Sequence, residues 1–100
     1  MKIYLDDVRP TPEGWVHAYW PEEVIERLKT ETVTVISLDH DLGDDEHGTG
    51  YDVVVWIEEA VATSDFKAPE IRVHSANSSA RDKMEAGIRS IIRLTKERSD

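Results

Sequence analysis

Residues 32–38 read TVTVISL, a nearly unbroken β-branched run flanked on both sides by segments with apolar residues at helical spacing. A strand of that composition calls for cover on both faces, which a half-solvated antiparallel sheet does not give. Its flanks are suited to provide it. Upstream, Pro21 suits the first turn of a helix through EEVIERLKT (22–30), with Val24, Ile25 and Leu28 on one stripe. Downstream, GYDVVVWIEEAVAT (50–63) carries Val53, Ile57, Ala60 and Val61 at the same period. Helix, strand and helix in this order predict an α/β domain with right-handed crossovers between parallel strands.

Three more strands complete the sheet. KIYL (2–5) is short and apolar, WVHAYW (15–20) alternates and is rich in aromatics, and EIRVHSA (70–76) follows the second helix, pairing over 70–75. Between the first two, VRPTPEG (8–14) holds two prolines and a glycine in seven residues, which predicts a loop where a crossover helix would otherwise lie. Ser79 and Asp82 resemble a capping box, opening a last helix with Met84, Ile88, Ile91 and Ile92 on one face. Residues 1–100 then form one domain with a parallel sheet in the order 2-1-3-4. No fifth strand is predicted, so the edge of the fourth is left to the last helix or to a second copy, and a homodimer is an expected assembly.

Composition narrows the function. A net charge of −9 repels polyanions and excludes a basic face for duplex nucleic acid. The absence of cysteine excludes disulfides and thiolate metal sites and fits a reducing compartment. MKIYLDD lacks an apolar leader and no window approaches 18 apolar residues, so no membrane partner is expected and the location expected is cytoplasmic.

The acids are the informative part. SLDHDLGDDEHGTGYD (37–52) packs six carboxylates and two histidines into sixteen positions directly after the buried run. In open parallel sheets, ligands bind beyond the carboxyl ends of the strands, where the strand order reverses. Asp6 and Asp7 end the first strand, Asp39, His40 and Asp41 the third, and His74, Ser75 and Asn77 the fourth. With strands 1, 3 and 4 adjacent, these eight polar residues share one rim.

These residues carry a resemblance. The pair of acids in LDD, the aspartate of SLDHDL and the hydroxyl of HSA are similar to the receiver domains of response regulators. LDDVRPTPEGW (5–15), SLDHDLG (37–43), GYDVVVW (50–56) and VHSAN (73–77) together resemble the receiver-derived cyclic-phosphate processing domains. That family is associated with bacterial and phage conflict systems and with cyclic phosphate or nucleotide substrates. The resemblance implies a small receiver-like (flavodoxin-like) three-layer fold, here without the first crossover helix and the fifth strand. It also lacks the lysine that an ordinary receiver carries on that strand, which turns the expectation from phosphosignalling towards hydrolysis.

The chemistry can be read residue by residue. Asp6, Asp7 and Asp39 form an oxygen cluster suited to Mg²⁺ or Mn²⁺, and without a cation they raise one another's pKa. The plainer role for Asp7 and Asp41 is a loop or cap acid. His40 and His74, with Asp39, are the candidate catalytic groups, since imidazole carries protons near neutrality. Arg9 can hold a phosphate through paired hydrogen bonds or form a salt bridge with the acids. Ser75 and Asn77 are candidate neutral donors to phosphate, with helix capping as the alternative for Asn77. His17 and His47 read as surface residues, residues 43–50 as a solvated turn or a lid, and Trp15 as a packing residue or a base-stacking one. The expected function is a metal-dependent phosphoesterase acting on a small anionic cyclic phosphate or nucleotide. The alternatives are a non-enzymatic partner- or nucleotide-binding module, such as a phage inhibitor, and a degenerate phosphoacceptor receiver.

Overall fold

The computed structural model describes residues 1–99. The elements are β1 (Lys2–Leu5), β2 (Val16–Ala18), α1 (Pro21–Thr30), β3 (Val35–Leu38), α2 (Gly50–Thr63), β4 (Glu70–Val73) and α3 (Ser78–Ser99). The four strands are all parallel and lie in the order β2-β1-β3-β4. This is the receiver-like, flavodoxin-like α/β architecture and sheet order the sequence predicts.

Element limits differ where side chains or turns take over the backbone bonds. β2 is shorter than the 15–20 run because the Trp15 amide closes a turn onto the Pro12 carbonyl, while the Tyr19 and Trp20 amides donate to the Glu23 carboxylate at 2.7 Å. Glu23 thereby fixes the start of α1. β3 opens at Val35, yet Thr34 still bonds across to Met1 and Glu70. β4 is likewise shorter than 70–75, although the His74 amide still reaches Leu38. The cap of α3 is not Ser79, which lies inside the helix. It is Asn77, whose side chain accepts from the Ala80 amide at 3.1 Å and whose carbonyl accepts from Arg81.

The core lies on one side of the sheet. Ile3, Leu5, Ile36 and Leu38 are fully buried against Val24 and Leu28 of α1, Val53, Val54, Ile57 and Val61 of α2, and Met84 and Ile91 of α3. Burying each of these large side chains contributes about 1.5–3 kcal/mol. Successive strand residues point to opposite faces, so Lys2, Tyr4, Trp15, His17, Ser37 and Arg72 occupy the other one. Among the described residues no helix covers that face, and the three layers expected of a receiver are reduced to two. The cause is visible in the chain. The prolines of 8–14 leave β1 and β2 joined by a loop. The two remaining crossovers, β2 to β3 and β3 to β4, run in the same direction across the sheet, and their common hand places both helices on the same side. No helix is long and apolar enough to cross a membrane among the described residues.

Candidate active site

The register of the sheet assembles the site. Leu5 pairs with both Ala18 and Leu38, and Leu38 pairs with Val73. The ladder continues one step further through the amides of Asp6, Asp39 and His74, which bond to the carbonyls of Ala18, Leu5 and Leu38. Tyr19, Asp6, Asp39 and His74 therefore form one row at the carboxyl rim, on the uncovered face. Asp6, Asp39 and His74 each bring a potential ligand atom to within 4.8 Å of the others. Asp6 and Asp39 are buried and His74 is half-buried.

Asp6 is the hub. Its Oδ1 accepts from the amides of Val8 and Arg9, both at 2.8 Å, so the carboxylate folds the proline loop back over the rim. Its Oδ2 faces His74 Nε2 at 3.0 Å and the Arg9 guanidinium at 3.4 Å. Arg9 also donates to the His74 carbonyl, which ties the loop to the end of β4. Burial pushes the Asp6 carboxyl up, but the Arg9 and Val8 amides and His74 outweigh it and hold the group below its ordinary value. Asp39 goes the other way. Burial first, and the neighbouring Asp6 charge second, raise its pKa against the opposing effects of the His40 amide, His74 and Arg9. Its Oδ1 accepts from the His40 amide at 2.9 Å, and no described residue hydrogen-bonds its Oδ2.

His74 is held on three sides. Its Nδ1 meets Ser37 Oγ at 2.7 Å, its Nε2 meets Asp6, and its ring lies flat on Tyr4 with centroids 4.4 Å apart. Ser37 is small enough for the rings of Tyr4 and His74 to meet across β3. Burial lowers the His74 pKa in spite of the two acids, so the neutral imidazole is favoured.

The other predicted residues form a second group. His40 Nδ1 bonds Asp41 at 2.8 Å, and Asn77 Nδ2 reaches the other Asp41 oxygen at 3.5 Å, linking the loops after β3 and β4. Ser75 Oγ accepts from the Asn77 amide at 3.1 Å and is buried in that turn. Asp7 is not part of the three-residue cluster; its carboxylate lies against Gly43. His17 departs from the surface role expected for it, being half-buried with Nε2 on the Asp6 carbonyl at 2.7 Å. His47 stacks on Trp20 at 3.8 Å and bonds Glu22 at 2.8 Å, which ties the 43–50 loop to the start of α1.

Sequence reasoning passed over Ser37, Tyr4 and Gly50. Ser37 had a signal, a small polar residue at the buried end of a β-branched strand, two positions before Asp39 and so on the same face. Gly50 opens α2 so close to the rim that a Cβ there would lie 2.0 Å from the Asp39 carbonyl oxygen.

The donor set fits a divalent cation. Burial first and the neighbouring Asp6 charge second raise the Asp39 pKa, a cost that a cation between the two carboxylates would relieve, and an imidazole completes the triangle. An imidazole in the set favours Mn²⁺ over Mg²⁺. Ligation would need His74 Nε2 unprotonated, with the ring proton on Nδ1 towards Ser37, and the Arg9 guanidinium moved off Asp6 Oδ2.

No curated protein and no solved structure matches the chain. A family model described as the cyclic-phosphate processing receiver domain matches residues 1–90, a span that holds β1 to β4, the proline loop and every rim residue named above. The chain therefore belongs to the cyclic-phosphate processing receiver domain family.

Proposed function

We propose that this protein is a metal-dependent phosphoesterase that opens a cyclic phosphate, in the conflict-system setting that the resemblance implies. The observation that carries the proposal is the convergence of Asp6, Asp39 and His74 within 4.8 Å at the rim, with Arg9 beside them. Bound among those three residues, Mn²⁺ or Mg²⁺ would supply Lewis-acid polarisation of the phosphoryl group. The chain's own residues do the rest.

Ser37 and Tyr4 hold the His74 ring in one orientation, and the amides of Val8 and Arg9 hold Asp6. Arg9 is part exposed, so its guanidinium can swing from Asp6 to the phosphate and neutralise charge developing on its oxygens. Asn77 and Ser75 lie on the adjoining turn as neutral donors. His40 is oriented by Asp41 at Nδ1, which leaves Nε2 to carry a proton to the departing alkoxide. Water adds at phosphorus and gives up one proton to solvent, one ring P–O bond breaks, and the departing alkoxide takes a proton from His40 Nε2, which solvent replaces, giving a linear phosphomonoester. Asp7, beside Gly43, stays outside the ligand triangle and adds negative charge to the rim.

The test is turnover of a panel of cyclic mono- and dinucleotides with Mn²⁺ and with Mg²⁺. The expected result is linear product from at least one of them, formed only when metal is present and faster with Mn²⁺. No product from any of them with either metal would sink the enzyme reading, and binding without turnover would favour the non-enzymatic module.

A further inference from the structure

We propose that the uncovered sheet face beside the rim binds the base of the substrate, so that the natural ligand is a nucleoside phosphate and not a base-free cyclic phosphate. The inference rests on the phosphate site proposed above and adds a second subsite to it.

A solvent-facing sheet surface is ordinarily polar. Here the side of the face next to Asp6 carries rings. Trp15, His17 and Tyr19 succeed one another along β2 and its ends, with Tyr4 beside them on β1. The register and the alternation of strand residues place all four on the same side of the sheet. The Trp15 and Tyr4 centroids are 6.2 Å apart, edge to face, and those of His17 and Tyr19 are 4.1 Å apart. Tyr19 is 52% exposed although it sits in the same row as Asp6. The Trp15 ring is half-buried, and a lysine lies across it, with Lys2 Nζ 5.6 Å from its centroid.

The rings are continuous with the phosphate site. Tyr4 supports His74 by stacking, and His17 holds the Asp6 carbonyl. A ligand with its phosphate at Arg9 and the acid pair can therefore lay its base on Tyr19, whereas Trp15, four residues back along β2 and about 13 Å further down the face, marks the far end of the ring surface. Stacking on such rings accepts any base, because every base has a π-face. The missing third layer is what leaves the surface open.

The experiment compares adenosine 5′-monophosphate with ribose 5-phosphate by calorimetry in the presence of Mn²⁺, on the parent chain, Tyr19→Ala and Trp15→Ala. Neither ligand contains a cyclic phosphate to be opened. The parent is expected to bind the nucleotide on the order of tenfold tighter than the sugar phosphate. Tyr19→Ala should lose most of that preference and Trp15→Ala should keep it, while both bind ribose 5-phosphate as the parent does, which also shows that the variants are folded. Tyr19 is exposed enough that its truncation removes little packing. Equal binding of the two ligands by the parent, or a preference that survives Tyr19→Ala, overturns the base subsite and leaves the phosphate site standing. Failure of both ligands to bind the parent refutes the phosphate site itself.

Discussion

Replacing Asp39 with asparagine is expected to stabilise the metal-free protein while reducing the phosphoesterase activity proposed above by about a hundredfold or more, the scale seen when a key electrostatic group is lost. The side chain keeps its shape, and its oxygen still accepts the His40 amide. Only the charge next to Asp6 is lost. The Asp39 carboxyl titrates above its ordinary value of 3.8 in the folded chain, so the fold prefers it neutral. Its ionisation costs no stability below about pH 3.8, where it is protonated in both states, and the full cost is reached once the pH exceeds the folded value. Asparagine never ionises. The gain of Asp39→Asn over the parent should thus be largest near neutral pH and vanish towards about pH 3.5, as read from thermal melts in chelator. A variant that is destabilised at neutral pH and retains turnover would mark Asp39 as a buried structural acceptor.

Gly50→Ala is expected to be the most destabilising single-methyl change near the site. Gly50 has no positive φ that would require glycine, so space alone excludes a side chain. The added Cβ would lie 2.0 Å from the Asp39 carbonyl oxygen, 2.9 Å from its carbon and 3.0 Å from the Met84 methyl. The first two are backbone atoms of the residue the site depends on, and Gly50 is itself bonded to the His40 carbonyl. Alanine gains up to about 1 kcal/mol of helix propensity over glycine. Overpacking costs about 1–3 kcal/mol and occasionally more, and contact with backbone belongs at the upper end. The net expectation is a melting temperature lower by about 10 °C, with weakened metal binding because α2 pushes Asp39 out of the row. A shift of only a degree or so would mean that α2 does not abut Asp39.

The parts of this fold that were legible in the sequence are those set by local pattern. The β-branched run of β3, the apolar stripes of α1 and α2, and the prolines of 8–14 each leave one choice of element. The strand-end rule then placed Asp6, Asp39 and His74 on one rim before any register was known. What stayed hidden depends on distances across the sheet. That Ser37 would meet His74, that Tyr4 would stack on it, and that His17 would reach the Asp6 carbonyl follow only from the alignment of four strands. Asp7 was grouped with Asp6 because it is adjacent in sequence, but neighbouring residues at a strand end point apart, and His74 takes the third place in the cluster. The single helical layer was deducible. Once the first crossover is a loop, the handedness rule puts the remaining helices on one side, and the resemblance to a three-layer fold masked that step. The Ser79 cap failed for a local reason, since Asn77 is as good a cap and lies directly after the turn built on Ser75.

The most direct test of the central claim is an NMR titration with Mn²⁺, whose paramagnetism broadens signals according to their distance from the ion. The account predicts that Asp6, Asp39 and the His74 ring broaden first and saturably in the parent chain, and that Asp39→Asn abolishes this pattern. Broadening that centres instead on the exposed acids Asp44, Asp45 and Glu46, and is unchanged by Asp39→Asn, would contradict it.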